Sequence, residues 1–182
     1  MGEAYLPGAM QSLAAQAAAF EALLLAASAA HKILRWRQLQ DVARQFARVP
    51  ASLAAAALGV ALLAEICAAS LLIGVPYRAA GAALAAALWS GYLGLIVRAI
   101  LQDRRDVDCG CSFGPVSRPL GVFQAARNVA LAALAILVWM SARDGAVPVQ
   151  ASEVLAGLAL LALYGALDQV MGLRPLRSGG VV

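Results

Sequence analysis

The 182-residue chain is poor in the residues that provide cross-links, metal ligands and charge. It has three cysteines, one histidine and only 13% charged residues. Three cysteines in a chain of this length exclude a disulfide-stapled secreted mini-protein, and the low charge excludes an intrinsically disordered chain. A tetrahedral metal site takes four ligands, and the histidine and one of the cysteines, His31 and Cys67, lie within or at the end of apolar stretches, so we also predict no metal.

Apolar residues, by contrast, are in excess. They make up 63% of the chain, and the mean hydropathy is +0.79, whereas soluble domains are about 45–50% apolar and about 25% charged. A single core of this size has no room for so much apolar surface, so lipid must be part of the solvent. We predict an all-α, polytopic membrane helix bundle that forms one integral membrane domain over residues 1–182.

Five stretches are long and apolar enough to cross a bilayer, which takes about 20 residues in a helix. They run over residues 13–34, 53–74, 79–101, 122–141 and 154–173. Prolines lie near the ends of these stretches, where proline punctuates a helix rather than breaking it. The first ten residues hold no Lys or Arg, which is unlike a secretory signal, so we expect the first span to be retained.

The basic residues predict an orientation. Of the 14 Lys and Arg residues, five lie in or beside the first loop, five in or beside the third loop and two in the C-terminal tail, which leaves Arg78 and Arg143 on the other side. The positive-inside rule then predicts that the N-terminus lies outside and the C-terminus lies in the cytoplasm. The same placement explains the net charge of +4 by topology and contact with the lipid bilayer, so we predict no nucleic-acid partner.

The third loop carries the most specific local feature, Cys109-Gly110-Cys111. Two cysteines at this spacing can bring their Cα atoms within the roughly 4.4–6.8 Å that a disulfide requires, and the glycine permits a tight backbone. Such a small ring is strained, and strained, exposed disulfides tend to be the labile or catalytic ones. Inert thiols, half of a metal site and a purely structural disulfide remain as alternatives.

Ionisable residues inside a membrane are functional candidates because their burial is costly. The chain has Glu21, Glu65 and Asp168 within its spans, and His31 near the end of the first. The neighbours of Glu65 on its own helix face are apolar, so we expect it to be neutral or to find a partner on another helix. For His31 and Lys32 we expect side chains that reach to the interface, with proton handling as the alternative for His31.

Several of these residues form a pattern along the chain. They are His31-Lys32 closing the first span, Glu65 in the second, Asp108-Cys109-Gly110-Cys111 with Phe113-Gly114 in the third loop, and Arg127-Asn128 opening the fourth span. This pattern, over about residues 20–141, resembles the methylamine utilisation protein MauE family, which belongs with the DoxX-like redox-associated membrane proteins.

The resemblance implies a function in maturation of the small (β) subunit of methylamine dehydrogenase, by processing, transport or disulfide formation, together with a thioredoxin-like partner of the MauD type. It also implies a location in the bacterial inner membrane. A disulfide-handling function would use the Cys-Gly-Cys loop, so we expect Cys109 and Cys111 to form a redox pair, as in a thiol-disulfide oxidoreductase. We expect Glu65, His31, Arg127 and Asn128 to tune or orient that pair. No cofactor is evident, although a quinone stays open.

The charge pattern places Cys109 and Cys111 on the cytoplasmic side, whereas the implied substrate matures outside. An error in the charge rule, a re-entrant loop or an electron relay through Cys67 would each reconcile the two. For Cys67 itself, we favour packing as a small hydrophobe over the relay. A non-redox scaffold for maturation enzymes and a quinone-linked carrier or small-molecule transporter remain as alternative functions, although the five spans show no inverted repeat typical of transporters.

Overall fold

The computed structural model describes residues 5–47, 49–102 and 121–172, and within these ranges every regular element is helical. The helices are α1 (Tyr5–Leu34), α2 (Trp36–Ala47), α3 (Ala51–Ile73), α4 (Arg78–Leu101), α5 (Val122–Arg143) and α6 (Ala151–Gly172), with a short 3-10 turn at Val75–Tyr77 between α3 and α4. The predicted all-α fold class is confirmed.

Five of the described helices are long and apolar enough to cross a membrane, which confirms the expected number of spans. These segments are Gly8–Leu34, Ala51–Ile73, Val75–Leu101, Val122–Arg143 and Ala151–Val170. The first and last helices begin before the predicted apolar stretches. At the start of α6, for example, the Glu153 carboxylate accepts the backbone N–H of Gln150 at 2.9 Å. A polar first turn of this kind belongs to the helix although it carries no apolar signal.

Helix α2 lies in a segment that we expected to be only a basic loop. Its Leu39 side chain is buried, whereas Arg37 and Arg44 are exposed. The Trp36 ring packs on α3, where a Cβ atom added to Gly59 would lie 3.8 Å from its Cη2 atom. Apolar residues three and four positions apart predict a short amphipathic helix, so the sequence did hold a signal for α2.

Helix α1 lies at the centre of the bundle. It packs against α3, α5 and α6, while α4 packs between α3 and α5. As a result α1 is the most buried of the five spans, and it contributes Ala15, Ala18, Leu24 and Leu25 to the core. Its alanines let the neighbouring helices approach closely, as is common in membrane bundles.

Two glycines mark the closest helix contacts. A Cβ atom on Gly81 of α4 would lie 2.6 Å from the backbone nitrogen of Leu72 in α3, and one on Gly157 of α6 would lie 2.9 Å from the backbone nitrogen of Phe20 in α1. Only glycine allows backbones to meet at these distances. These contacts therefore fix the positions of α4 on α3 and of α6 on α1.

Candidate functional site

A buried ion pair joins α1 to α3. The Lys32 ammonium donates a hydrogen bond to Oε1 of Glu65 at 2.7 Å. The Glu65 residue is fully buried and Lys32 is only 9% exposed. The expectation that Lys32 reaches out to the interface is therefore wrong, because an acidic partner lies within the bundle. The expectation that Glu65 finds a partner on another helix is confirmed.

Two hydroxyl groups bind the same carboxylate oxygen of this ion pair, whereas Oε2 of Glu65 has no hydrogen-bond partner among the described residues. Ser28 of α1 donates to the same Oε1 atom of Glu65 at 2.9 Å, and Tyr92 of α4 donates to it at 2.7 Å. Lys32 also donates to the Ser28 hydroxyl at 2.9 Å, and its ammonium lies 5.4 Å from the centre of the Tyr92 ring. We call these four residues the Glu65 cluster; it connects α1, α3 and α4.

Another buried carboxylate lies near the middle of α1. Glu21 is fully buried, and its Oε2 atom accepts a hydrogen bond from the Trp89 indole of α4 at 2.7 Å. Its Oε1 atom has no hydrogen-bond partner among the described residues. The Trp89 ring also meets the Tyr92 ring edge to face, with centroids 5.9 Å apart. Two neighbouring residues of α4 therefore each bind one of these carboxylates, Trp89 that of Glu21 and Tyr92 that of Glu65.

A second ion pair joins α5 to α6. Nη1 of Arg127 lies 3.2 Å from Oδ1 of Asp168, and both side chains are at least nine-tenths buried. The Arg127 guanidinium also lies 5.8 Å from the centre of the Tyr164 ring, which contacts Phe20 of α1 edge to face. The pair is therefore linked to the central helix through aromatic contacts.

Both ion pairs lie towards the same end of the bundle. Gly157 of α6 contacts Phe20 of α1, and these first and fifth spans run in the same direction. Asp168 lies eleven residues after Gly157, and His31 lies eleven residues after Phe20. Because both helices rise by about 1.5 Å per residue, Asp168 and His31 lie at a similar level along the bundle axis. Lys32 follows His31 directly, so the Arg127–Asp168 pair and the Glu65 cluster are near one level.

The helix ends that flank residues 103–120 are at this end too. Ile96, Ala99 and Ile100 near the end of α4 pack with Ala125 near the start of α5. Cys109 and Cys111 lie in sequence between these two ends but outside the described residues. Their pairing therefore stays a prediction.

The other predicted site residues are distributed as follows. Asn128 is buried and donates to the backbone carbonyl of Gln124 at 2.8 Å within α5, while His31 is partly buried at the end of α1. Cys67 is a free cysteine exposed on the surface of α3, so it is not packed in the core as we favoured. Across the described ranges, no three His, Cys, Asp or Glu side chains come together as a metal site would require.

At the opposite end of the bundle, the buried side chain of Arg78 binds two backbone carbonyl groups. Its Nε atom donates to the carbonyl of Leu72 at 3.0 Å, and its Nη1 atom donates to the carbonyl of Val147 at 2.6 Å. These bonds join the end of α3 to the connection between α5 and α6. One of the two basic residues that we predicted on this side is therefore buried, with its charge turned towards backbone carbonyls.

Sequence comparisons place these features in a family context. Residues 10–141 match the family model described as methylamine utilisation protein MauE. The chain is 30% identical over 152 residues to the methylamine utilization protein MauE of Paracoccus denitrificans, which covers 80% of each chain. No solved structure gives a significant match.

Proposed function

The chain belongs to the MauE family of methylamine utilisation proteins, and on this basis we propose that it matures the small (β) subunit of methylamine dehydrogenase at the membrane. The five apolar helices within the described ranges and its family make it a multi-pass membrane protein of methylamine utilisation. Within that role, we propose that it acts in processing, transport or disulfide formation of the subunit through thiol-disulfide chemistry.

In the proposed reaction Cys109 and Cys111 cycle between a dithiol and a disulfide. A thiolate attacks a disulfide of a thioredoxin-like partner and forms a mixed disulfide, which the second cysteine resolves. The loop is then oxidised to a disulfide, and the partner receives two electrons and two protons as its own dithiol. The reverse sequence would pass the electrons in the other direction.

The observation that supports this proposal is the fixed bundle end from which the cysteine segment starts and to which it returns. The Glu65 cluster ties α1, α3 and α4 together, and the Arg127–Asp168 pair ties α5 to α6. Thiol-disulfide exchange requires the two sulfur atoms to meet in a defined geometry. The end of α4 and the start of α5 also pack together through apolar side chains, so the segment that carries the cysteines begins and ends at neighbouring helix ends.

The charge at the start of α5 defines what this side of the bundle can contribute. Arg127 is five residues beyond the start of α5 at Val122, and its guanidinium is paired with the buried Asp168 carboxylate at 3.2 Å, so it holds the start of α5 in place. We propose that Arg127 and Asn128 support the cysteine pair from this side, and that Glu65 and His31 do so from α3 and α1. By charge, the pair faces the cytoplasm, and Cys67 remains the candidate for a relay towards the outer side.

A pair of variants tests the redox function. We expect Cys109→Ser combined with Cys111→Ser to prevent accumulation of active, correctly cross-linked methylamine dehydrogenase in cells that depend on this protein. Cys67→Ser is the matched control and leaves accumulation normal if exchange is direct. An immunoblot of the membrane fraction verifies that each variant is present at the normal level.

Normal dehydrogenase accumulation in the double variant would overturn the redox proposal and leave a scaffold function. If Cys67→Ser alone blocked accumulation to the same extent as the double variant, the electrons would pass through α3, as a relay requires.

A further inference from the structure

We propose that the junction of α1 and α2 binds the headgroup of an anionic phospholipid. An open recess of about 620 Å³ lies at this junction and is lined by Ile33, Leu34, Arg35, Trp36, Arg37 and Gln38. The proposal is separate from the redox function, since it concerns the surface of the bundle that faces the membrane.

The recess has an apolar part and a basic part, which match the acyl chains and the phosphate group of a phospholipid. Ile33 and Leu34 are exposed, Leu34 to 84%, and they end a helix that spans the membrane. Arg35 and Arg37 follow directly and are exposed as well. Guanidinium groups bind phosphate oxygens through paired, charge-assisted hydrogen bonds. An acyl chain can therefore lie along the two apolar residues while the phosphate meets the two arginines.

The geometry of α2 keeps this recess in place. Leu39 is buried, and Trp36 packs against Gly59 of α3. Tryptophan at the end of a span is typical of the membrane interface, and an amphipathic helix with basic residues on its polar face lies in that plane. The arginines are therefore held at the depth of the lipid headgroups.

Charge complementarity selects an anionic lipid over a zwitterionic one. The exposed face of α2 carries Arg37, Asp41 and Arg44, and Arg35 lies just before the helix. Arg35 donates to the Gln38 side chain at 3.3 Å, which leaves other N–H groups for a ligand. With three arginines against one aspartate, the described face has a net positive charge, and basic residues near a membrane surface attract anionic headgroups.

Native mass spectrometry of the full-length protein tests the proposal. The protein is extracted into detergent and titrated with equal amounts of phosphatidylglycerol and phosphatidylcholine, and the dissociation constant of each lipid is measured. We expect the unchanged protein to prefer phosphatidylglycerol. In the Arg35→Gln/Arg37→Gln variant this preference falls at least about fivefold, since each basic residue near the surface contributes about 1 kcal/mol, or about fivefold.

The matched control is Arg98→Gln combined with Arg143→Gln, which removes the same charge from two other exposed arginines. We expect this control to keep the lipid preference. Equal loss in both double variants would show a general charge effect and overturn the site. An unchanged preference in the Arg35→Gln/Arg37→Gln variant, or displacement of the lipid by inorganic phosphate, would also overturn it. Circular dichroism confirms that each variant is folded.

Discussion

The Glu65 cluster yields a quantitative prediction on stability. Glu65→Gln removes the charge that compensates Lys32, and Lys32→Met removes the cation that compensates Glu65. Both residues are buried, their charged atoms are 2.7 Å apart, and two hydroxyl groups also donate to the carboxylate. Breaking a buried ion pair by removing one partner costs about 3–5 kcal/mol, so we expect each single variant to lose about this much unfolding free energy.

The double variant shows how much of the stability loss comes from the interaction between Lys32 and Glu65. With both Lys32→Met and Glu65→Gln present, no unpaired charge remains in the cluster, and we expect the total loss to be smaller than the sum of the single losses by at least about 2 kcal/mol, within the range found for neighbouring residues. The assay is an SDS titration of the purified protein in mixed micelles, followed by circular dichroism. The control Arg98→Met removes an exposed cation and is expected to change stability by less than about 0.5 kcal/mol.

Two results would refute this reasoning. Losses below about 1 kcal/mol in both single variants would mean that the charges contribute little to the folded state. Additive losses, in which the double variant costs as much as the two singles together, would mean that Lys32 and Glu65 do not act as a pair.

Two further predictions use the helix contacts and the second ion pair. Gly81→Ala should destabilise the protein by about 1–3 kcal/mol because the new Cβ atom meets the α3 backbone. Gly91→Ala should instead stabilise it by up to about 1 kcal/mol, since nothing lies within 4 Å of that position and alanine favours a helix over glycine. Unfolding titrations compare the two variants, and equal effects would contradict the contact at Gly81. Asp168→Asn leaves the Arg127 charge buried without its carboxylate and should lower the unfolding free energy by about 3 kcal/mol. Adding Arg127→Met should restore part of this stability, and no restoration would refute the pairing.

The number and the approximate positions of the spans are predictable from the sequence because lipid requires long apolar helices. The amphipathic helix α2 was accessible in principle, since Trp36, Leu39 and Ala43 recur at helical spacing. Its many charged neighbours instead favoured a loop. The helical spacing of the apolar residues in α2 is easily missed when only the basic charge of this segment is considered.

The partners of the buried charges are harder to predict from the sequence. The absence of a polar residue on the face of Glu65 predicted a partner on another helix, but nothing in the sequence selects Lys32 and Tyr92 over other polar groups. That choice depends on how α1, α3 and α4 pack, and close packing of Gly81 on α3 fixes part of it. Similarly, the burial of Arg78 depends on a carbonyl 69 residues further along the chain.

The central claim of a redox pair is tested most directly by thiol labelling of Cys109 and Cys111 in a Cys67→Ser background, where no other cysteine remains. A membrane-impermeant maleimide is applied to intact cells and to inverted vesicles, before and after reduction. We predict no labelling before reduction, and two labels per chain after reduction in inverted vesicles but not in intact cells. Two labels before any reduction under oxidising conditions would contradict the redox pair, and labelling in intact cells would contradict the predicted orientation.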